Sequence, residues 1–299
     1  MTGGLSESPR RISHSPLEAA VAHAHDRVMT MSFKVLRNGA GSIPPPPFSR
    51  IGPDAFMAHD TAEGPWTPGF CHGGAPAGLI VHAADEVRTA GEMAVARVTV
   101  DLMRPVPVGE LKVDARIARE GKKLQLVDVE IRAVDALVAR GSVLRLRREE
   151  QPEVLTIPTA DFAGPELGTL TGPPSGVGFS QLFDMRAVAG SFDALGPAAV
   201  WLRMSGPLVA DERMSAATLA AASADFASGI AGVLPFDTWS YPSTDLTVSL
   251  AREPVGPWLL VDAECWAGAE GRGVTHARLG DALGWFGRSM QTTIFERRC

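Results

Sequence analysis

The stretch Val98-Thr-Val-Asp-Leu-Met-Arg104 occurs twice in this chain, the second time as Leu246-Thr-Val-Ser-Leu-Ala-Arg252. Both copies lead into a Pro-Val pair. At the same separation, Val113-Asp-Ala-Arg116 is matched by Val261-Asp-Ala-Glu264. Similar segments at a fixed separation are the signature of an internal repeat. The sequence therefore predicts two copies of one folding unit.

Each predicted copy contains a helix-length apolar run, from Gly74 to about Ala90 and from Met214 to about Leu234. In the first copy, segments rich in β-branched residues at a period of two follow the run and are separated by Gly or Asp turns. These predicted strands are Arg97–Leu102, Glu110–Arg119, Leu124–Ala133 and Leu137–Arg147. An antiparallel sheet with one apolar face, covered by an apolar helix, is thus predicted for each copy, which is an α+β fold.

Two Pro-rich passages divide the chain. Residues 1–47 are polar or mixed and end in Pro44-Pro-Pro-Pro47, which predicts a flexible N-terminal arm. Residues 150–176 are rich in Pro and Gly, and they predict a linker between the two copies. The predicted repeats are then 48–149 and 177–299.

Bulk composition limits the classes of protein to which the chain can belong. Its 299 residues suffice for two domains, and the net charge of −6 provides no basic surface for nucleic acid. The run from Met214 to Pro235 is mostly Ala, Ser and Gly, whereas membrane spans are rich in Leu, Ile and Val. It is predicted to be a buried helix, without a membrane span.

Cysteine usage indicates a reducing compartment. The three cysteines, Cys71, Cys265 and Cys299, are odd in number and far apart, which favours free thiols over a disulfide framework. Polar residues interrupt the short apolar stretch after Arg10-Arg11, so an export signal is not expected. A cytoplasmic location follows as the expectation.

A family resemblance rests on motifs in both halves: His72-Gly-Gly-Ala-Pro-Ala-Gly-Leu79, the stretch from Val98 to Pro107, and the stretch from Thr244 to Pro254. In their order and spacing they resemble the thioesterase-like superfamily of tandem (double) hot-dog proteins, which are related to type II acyl-CoA thioesterases. The resemblance implies a double hot-dog fold, in which each antiparallel sheet wraps around one helix. It also implies hydrolysis of an acyl-CoA substrate to the free acid and CoA by water attack, with no cofactor.

The resemblance further implies a catalytic Asp in the second helix, a hydroxyl near the start of the following strand and a Gln in the last strand. The matching positions are Asp225, Ser243 or Thr244, and Gln291. Counting back from Arg252 favours Ser243, but a shift of one residue on a strand reverses the face. Thioester hydrolysis needs a bound water, a group to take its proton and donors for the oxyanion, and these residue types suit that chemistry.

The repeat adds an asymmetry to these positions. Aligning Ser289-Met-Gln291 with Ser142-Val-Leu144 places an amide where the first copy has an apolar side chain. Asp225 is also the one ionisable residue between Arg213 and Asp237, and its burial without partners would be costly. A single active site for the tandem pair is therefore predicted.

The segment Cys71-His72-Gly73-Gly74 precedes the first predicted helix and raises two possibilities. Adjacent glycines and the free N–H groups of a helix start could bind a thioester oxygen or pantetheine, which makes His72, Gly73 and Gly74 candidate substrate-binding residues. A Cys71–His72 nucleophile and base is the less favoured interpretation, because adjacent residues seldom direct a thiol at the neighbouring ring.

Other functions of the same fold stay open at this point. Asp54 and His59 have the spacing found in hot-dog enoyl-CoA hydratases, although the residues between them do not match, and a non-catalytic acyl-CoA or acyl-group binding protein is a further alternative. No metal site is predicted, since His23 and His25 lie in the arm. Hot-dog sheets leave an outer edge or face for a second copy, so a homodimer is expected, with a trimer as the alternative.

Overall fold

The computed structural model describes residues 44–150, 157–173, 176 and 178–298. The predicted arm up to residue 43, parts of the predicted linker and Cys299 lie outside the described residues. The first half contains β1 (Phe48–Gly52), β2 (Ala55–Ala58), α1 (Gly74–Asp85), β3 (Met93–Leu102), β4 (Gly109–Glu120), β5 (Leu124–Ala133) and β6 (Ala136–Arg147). The second half contains β7 (Thr169–Leu170), β8 (Phe183–Ala189), β9 (Ala198–Met204), α2 (Ala216–Ala224), α3 (Ala227–Ile230), β10 (Trp239–Ser240), β11 (Asp245–Leu250), β12 (Leu259–Ala267), β13 (Arg272–Asp281), β14 (Gly284–Ile294) and β15 (Glu296–Arg297).

All but two of these strands form one antiparallel sheet. Its order is β1-β2-β4-β5-β6-β3-β11-β14-β13-β12-β9-β8-β7, while β10 and β15 pair separately. The four strands predicted in the first half are confirmed as β3 to β6. The sheet curves around the helices, so the α+β double hot-dog expectation is confirmed.

The two copies of the repeated stretch meet at the centre of this sheet. β3 pairs with β11, and Thr99 lies opposite Thr247. These two residues are also equivalent in the repeat, because matching positions of the two copies lie 148 residues apart. A pseudo-two-fold axis therefore passes between Thr99 and Thr247 and relates the two halves of the sheet.

The strand pairing corrects the sequence alignment around Gln291. Ser142 lies opposite Thr99 and Met290 opposite Thr247, so the counterpart of Gln291 is Val143. Leu144 is one residue out of register and lies on the outer face of the sheet, whereas Val143 is fully buried. The amide of the second half therefore still replaces an apolar core residue of the first.

The two long helices pack against each other through small residues. A Cβ atom at Gly74 would lie 2.4 Å from the carbonyl oxygen of Ala222, and one at Gly78 would lie 3.2 Å from the Ala222 Cβ. Only glycine permits this approach of the backbones. Every residue of α1 except the last is buried, which is typical of a helix enclosed by a sheet.

Both helices differ from their predicted lengths. α1 ends at Asp85, where Arg145 donates hydrogen bonds to the carbonyls of Ala84 in its last turn and of Val87 beyond it. The second predicted helix is broken into α2 and α3 at Asp225, whose backbone carbonyl accepts from the Gln291 side chain at 3.2 Å. A side chain inserted into the helical ladder is a known cause of such breaks. None of the described helices is both long and apolar enough to span a bilayer.

Candidate active site

The predicted catalytic residues gather where the C-terminal end of α2 meets the N-terminal end of α1. Asp225 caps α2 and is 6% exposed, while Gln291 projects inward from β14 and is fully buried. Ser243 lies just before β11 and bridges to Thr293 of β14. Three distant parts of the second half thus place their side chains in one cluster.

Gln291 is the centre of this cluster. Its Nε2 atom lies 2.7 Å from Asp225 Oδ1, 3.0 Å from Ser243 Oγ and 3.2 Å from the Asp225 carbonyl oxygen. Two N–H groups therefore serve three acceptors, which fixes the orientation of the amide. Its Oε1 atom is buried and has no hydrogen-bond partner among the described residues.

The two candidate hydroxyls point in different directions. Ser243 Oγ reaches Gln291 and lies 3.5 Å from Ser228 Oγ of α3. Thr244 Oγ1 lies 3.2 Å from the Thr292 carbonyl oxygen and 3.3 Å from Asp245 Oδ1, away from the cluster. Both residues line the same cavity, but the Ser243 hydroxyl is the one next to Asp225 and Gln291.

His72 contacts the second oxygen of the Asp225 carboxylate. Its Nδ1 atom lies 3.0 Å from Asp225 Oδ2 and 3.1 Å from the Gly74 backbone nitrogen. The ring stacks on Phe179 and Phe226, which limits its rotation. Nδ1 carries either a lone pair, which accepts the Gly74 N–H, or a hydrogen, which faces the Asp225 carboxylate.

The two glycines of the segment have separate environments. Gly73 lines the cavity, and a Cβ atom there would lie 2.8 Å from Asp225 Oδ2. Its N–H has no hydrogen-bond partner among the described residues. Gly74 does not line the cavity, and its N–H is already donated to His72. Of the two, Gly73 therefore offers a free donor at the start of α1.

Cys71 lies beside this segment but is poorly suited to be a nucleophile. Burial raises the pKa of its thiol to about 12, with a further contribution from the negative charge of Glu63. Its Sγ atom faces the Pro107 carbonyl oxygen at 3.7 Å, and none of its described contacts is with the His72 ring. The thiolate that such catalysis requires is therefore strongly disfavoured.

Asp54 and His59, the pair of the hydratase alternative, do not meet. Asp54 pairs with Lys112 at 3.3 Å, and His59 Nε2 contacts Ser49 Oγ at 2.9 Å. Neither residue lines the cavity at Asp225. They have no common point at which a shared water could be held.

A group that the sequence did not reveal lies near the other end of α1. His82, Glu86 and Glu212 place their ligand atoms within 4.8 Å of one another, the spacing of a possible metal site. The Arg50 guanidinium already donates to both Glu86 and Glu212, and His82 contacts Glu212 at 2.8 Å. The described contacts are those of an ion-pair network held together by an arginine.

The cluster opens into a cavity of about 500 Å³, which is in the range of small-molecule sites. Asp225, Ser243, Ser228 and Gly73 are in its wall. Sequence reasoning did not foresee the His72–Asp225 contact, which depends on the packing of two helix ends. Ser228 could have been found, because a residue three positions after Asp225 shares its side of a helical turn.

Comparison with known families agrees with this architecture. A model described as the acyl-CoA thioesterase N-terminal domain matches residues 62–146, and one described as the acyl-CoA thioesterase C-terminal domain matches residues 155–295. The two matches together cover most of the chain. No curated protein matches it by sequence.

Solved structures share the fold at low sequence identity. A hot-dog protein of unknown function from Alicyclobacillus acidocaldarius is 16% identical with a TM-score of 0.68, covering 84% of this chain and 96% of its own. An acyl-CoA thioesterase II from Mycobacterium marinum is 16% identical with a TM-score of 0.62, covering 84% and 96%. A tesB protein from Mycobacterium avium subspecies paratuberculosis is 17% identical with a TM-score of 0.62, covering 83% and 96%.

Proposed function

Since the chain belongs to the acyl-CoA thioesterase family, we propose that its hydrolysis of an acyl-CoA thioester takes place at Asp225, with water as the nucleophile. The observation that carries this assignment is the buried Gln291 amide, which donates to both Asp225 and Ser243, two residues in the wall of the cavity. The group combines a proton acceptor and a hydroxyl, each within hydrogen-bond distance of the same amide donor. No covalent acyl-enzyme is required by this arrangement.

Asp225 acts as the general base in this proposal. A water bound between its carboxylate and the Ser243 hydroxyl gives up a proton to Asp225 as its oxygen attacks the thioester carbon. The Gln291 amide holds Oδ1 at 2.7 Å and keeps the free lone pairs directed toward the cavity. General-base assistance of this kind contributes about 10²- to 10⁴-fold to the rate.

Gly73 supplies the donor for the oxyanion. Its unpaired N–H lies at the N-terminal end of the twelve-residue helix α1, where the helix dipole also favours negative charge. When the tetrahedral intermediate collapses, the C–S bond breaks and the CoA sulfur takes the proton that Asp225 had accepted. The products are the free acid and CoA, and the carboxylate is restored.

His72 keeps Asp225 in position. Its Nδ1 atom lies 3.0 Å from Asp225 Oδ2, and its ring packs against Phe179 and Phe226. The second oxygen of the base therefore has a fixed neighbour, while Gln291 holds the first.

A single turnover in water labelled with heavy oxygen tests the role of Asp225. With enzyme in excess over acyl-CoA, attack by water on the thioester puts the label into the released acid. If Asp225 attacked the thioester itself, it would form an anhydride and release CoA, and attack of water on the aspartyl carbonyl of that anhydride would release acid with an unlabelled carboxylate oxygen and leave the label on Asp225. Label on Asp225, found by mass spectrometry of the peptide, would therefore overturn the general-base role.

We also propose that the protein is a homodimer. Trp266 is 63% exposed and Met290 is 55% exposed on the outer face of the second half, where a second copy could cover them. Light scattering of the purified protein tests this, and a monomer mass at micromolar concentration would contradict it.

A further inference from the structure

Aromatic rings are the most numerous kind of apolar side chain in the cavity wall. Of the side chains that line the cavity, six are aromatic and five are prolines, whereas four are aliphatic. The aromatic ones are Trp66, Phe70, Phe192, Phe226, Phe236 and Tyr241. Rings and prolines have few rotamers, in contrast to the Leu and Met side chains that adapt to flexible ligands. The wall therefore has a fixed shape.

Three of these rings form one contiguous surface. The Trp66 ring centroid lies 4.7 Å from that of Tyr241 and 5.4 Å from that of Phe236. Tyr241 precedes Ser243 by two residues, so the aromatic surface begins next to the candidate hydroxyl. An acyl group directed from a thioester at Asp225 past Ser243 would meet this surface.

Arg298 holds the surface together from behind. Its guanidinium carbon lies 4.4 Å from the Phe236 centroid and 5.3 Å from the Trp66 centroid. The same side chain donates to the carbonyls of Trp239 at 3.1 Å and Pro65 at 3.3 Å. One residue therefore ties together the two loops that carry Trp66 and Phe236.

Behind the catalytic group, the interior is filled. Phe226 lines the cavity, and the centroids of Phe179 and Phe183 lie 6.0 and 4.9 Å from its ring. Phe179 is fully buried and Phe226 is 2% exposed. An extended alkyl chain would have to displace this packed group to pass behind Asp225.

We propose that the acyl group of the substrate is a compact aromatic one, such as an arylacetyl group, whose ring binds against Trp66, Phe236 and Tyr241. This proposal rests on the proposed function and names the substrate class of the same site. Offset and edge-to-face ring contacts favour an aromatic group over an alkyl group of similar size. Arg298 is a positioning residue in this assignment, since it orients the rings and does not line the cavity.

The direct test compares phenylacetyl-CoA with octanoyl-CoA, whose acyl groups contain the same number of carbon atoms, and with palmitoyl-CoA. We expect kcat/KM to be higher for phenylacetyl-CoA than for octanoyl-CoA by about tenfold or more, the effect of two ring contacts. Palmitoyl-CoA should be the poorest of the three. Equal or faster turnover of either alkyl substrate would overturn the proposal.

Variants of the wall test which residues cause the preference. In Trp66→Leu the ratio of the two kcat/KM values should fall at least about fivefold, and Phe236→Leu serves if that variant does not fold. Trp258→Leu is the matched control, because Trp258 lies outside the cavity against Arg203. A ratio that is unchanged in Trp66→Leu and Phe236→Leu, or that falls equally in Trp258→Leu, contradicts the assignment.

Arg298→Met removes the charge while keeping the length of the side chain. We expect KM for phenylacetyl-CoA to rise about threefold or more with kcat little changed. In Arg298→Lys, which keeps the charge, KM should rise less. A purely structural role would instead lower the melting temperature and the turnover of every substrate in proportion.

Binding separates failure of this proposal from failure of the proposed function. Asp225→Asn should bind phenylacetyl-CoA with a Kd lower than that for octanoyl-CoA by about tenfold, measured by calorimetry. If the wild type released no thiol from any acyl-CoA, the proposed catalysis would fail, while this Kd ratio would still decide the acyl preference. Equal Kd values would overturn the aromatic assignment even in an active enzyme.

Discussion

The two ends of the α1–α2 pair can be compared directly, because the pseudo-two-fold axis relates them. At one end Asp225 closes α2 beside the start of α1, and at the other Asp85 closes α1 beside the start of α2, where Thr218 Oγ1 lies 3.4 Å from Asp85 Oδ2. We call these the open junction and the closed junction. Each places an aspartate at a helix end, but only Asp225 lies in the wall of the cavity.

The difference between the junctions lies in the strand behind each helix. At the closed junction Arg145 lies 3.5 Å from Asp85 and donates to Gln125 Oε1 and to helix-end carbonyls. Its counterpart on β14 is Thr293, because Val95 pairs with Arg145 as Ser243 pairs with Thr293. A cation thus occupies one junction, while the other has an amide and a cavity. The two helix ends therefore differ in charge and in access to the cavity, although the repeat makes them equivalent.

The largest expected effect comes from removing the carboxylate at one junction only. Asp225→Asn should lower kcat/KM for acyl-CoA hydrolysis by about 10²- to 10⁴-fold, because the general base is lost. Asp85→Asn is the matched control and should change it by less than about threefold. Thiol release followed with a chromogenic reagent measures both. Similar losses in the two variants would mean that the junctions do not differ in function.

A substitution at the closed junction should instead lower the stability of the folded protein. Arg145→Met leaves the carbonyls of Ala84 and Val87 without their donor and Asp85 without its cation, at a cost of about 2–4 kcal/mol. Thermal and urea unfolding measure this loss. The activity per folded molecule should stay within about twofold of the wild type. A variant that is fully stable, or folded but inactive, would contradict the division of roles.

A smaller effect is expected from one methyl group at the open junction. In Gly73→Ala the new Cβ would lie 2.8 Å from Asp225 Oδ2, so the carboxylate that Gln291 holds must shift. We expect kcat to fall about tenfold, since catalytic groups tolerate little displacement. Gly91→Ala is the control, because its Cβ would meet no atom within 4 Å. Equal activity of the two variants would remove Gly73 from the proposed site.

Much of the fold was predictable because the duplication is visible in sequence. The repeated stretches became β3 and β11, and their equivalent threonines lie opposite each other at the centre of the sheet. The break at Asp225 was not predictable, since it depends on the Gln291 side chain reaching the helix from β14. The one-residue error at Leu144 came from aligning two serines, Ser142 and Ser289, whereas the strand pairing makes Ser142 the counterpart of Met290.

The parts of the candidate site that depend on individual residue types could be predicted from the sequence. Asp225, Gln291 and Ser243 could be named from the family resemblance, and the structure brings them together. The contact between His72 and Asp225 could not be named, because it arises only when two helices pack end to end. The sequence also gave no sign that Gly74 is needed for helix packing and Gly73 for access to the carboxylate.

The smallest expected effect concerns the ion pairs beside the closed junction, and it depends on pH. The hydrogen bond from Arg50 lowers the pKa of Glu212 below its usual value, and contacts with His82 act in the same direction. A carboxyl group whose pKa is lower in the folded state stabilises the protein above its unfolded pKa of about 4.3, and this contribution is lost as the pH falls through the folded pKa. Glu212→Gln should therefore lower the free energy of unfolding by about 0.5–1 kcal/mol near neutral pH, and the difference from the wild type should shrink below about pH 4.

Urea unfolding at several pH values measures this difference, with Glu270→Gln as an exposed control whose stability should change little at any pH. If the stability difference between Glu212→Gln and the wild type grew on acidification, the pKa of Glu212 would be raised in the folded state and not lowered. The folded state would then bind a proton at this junction instead of excluding it.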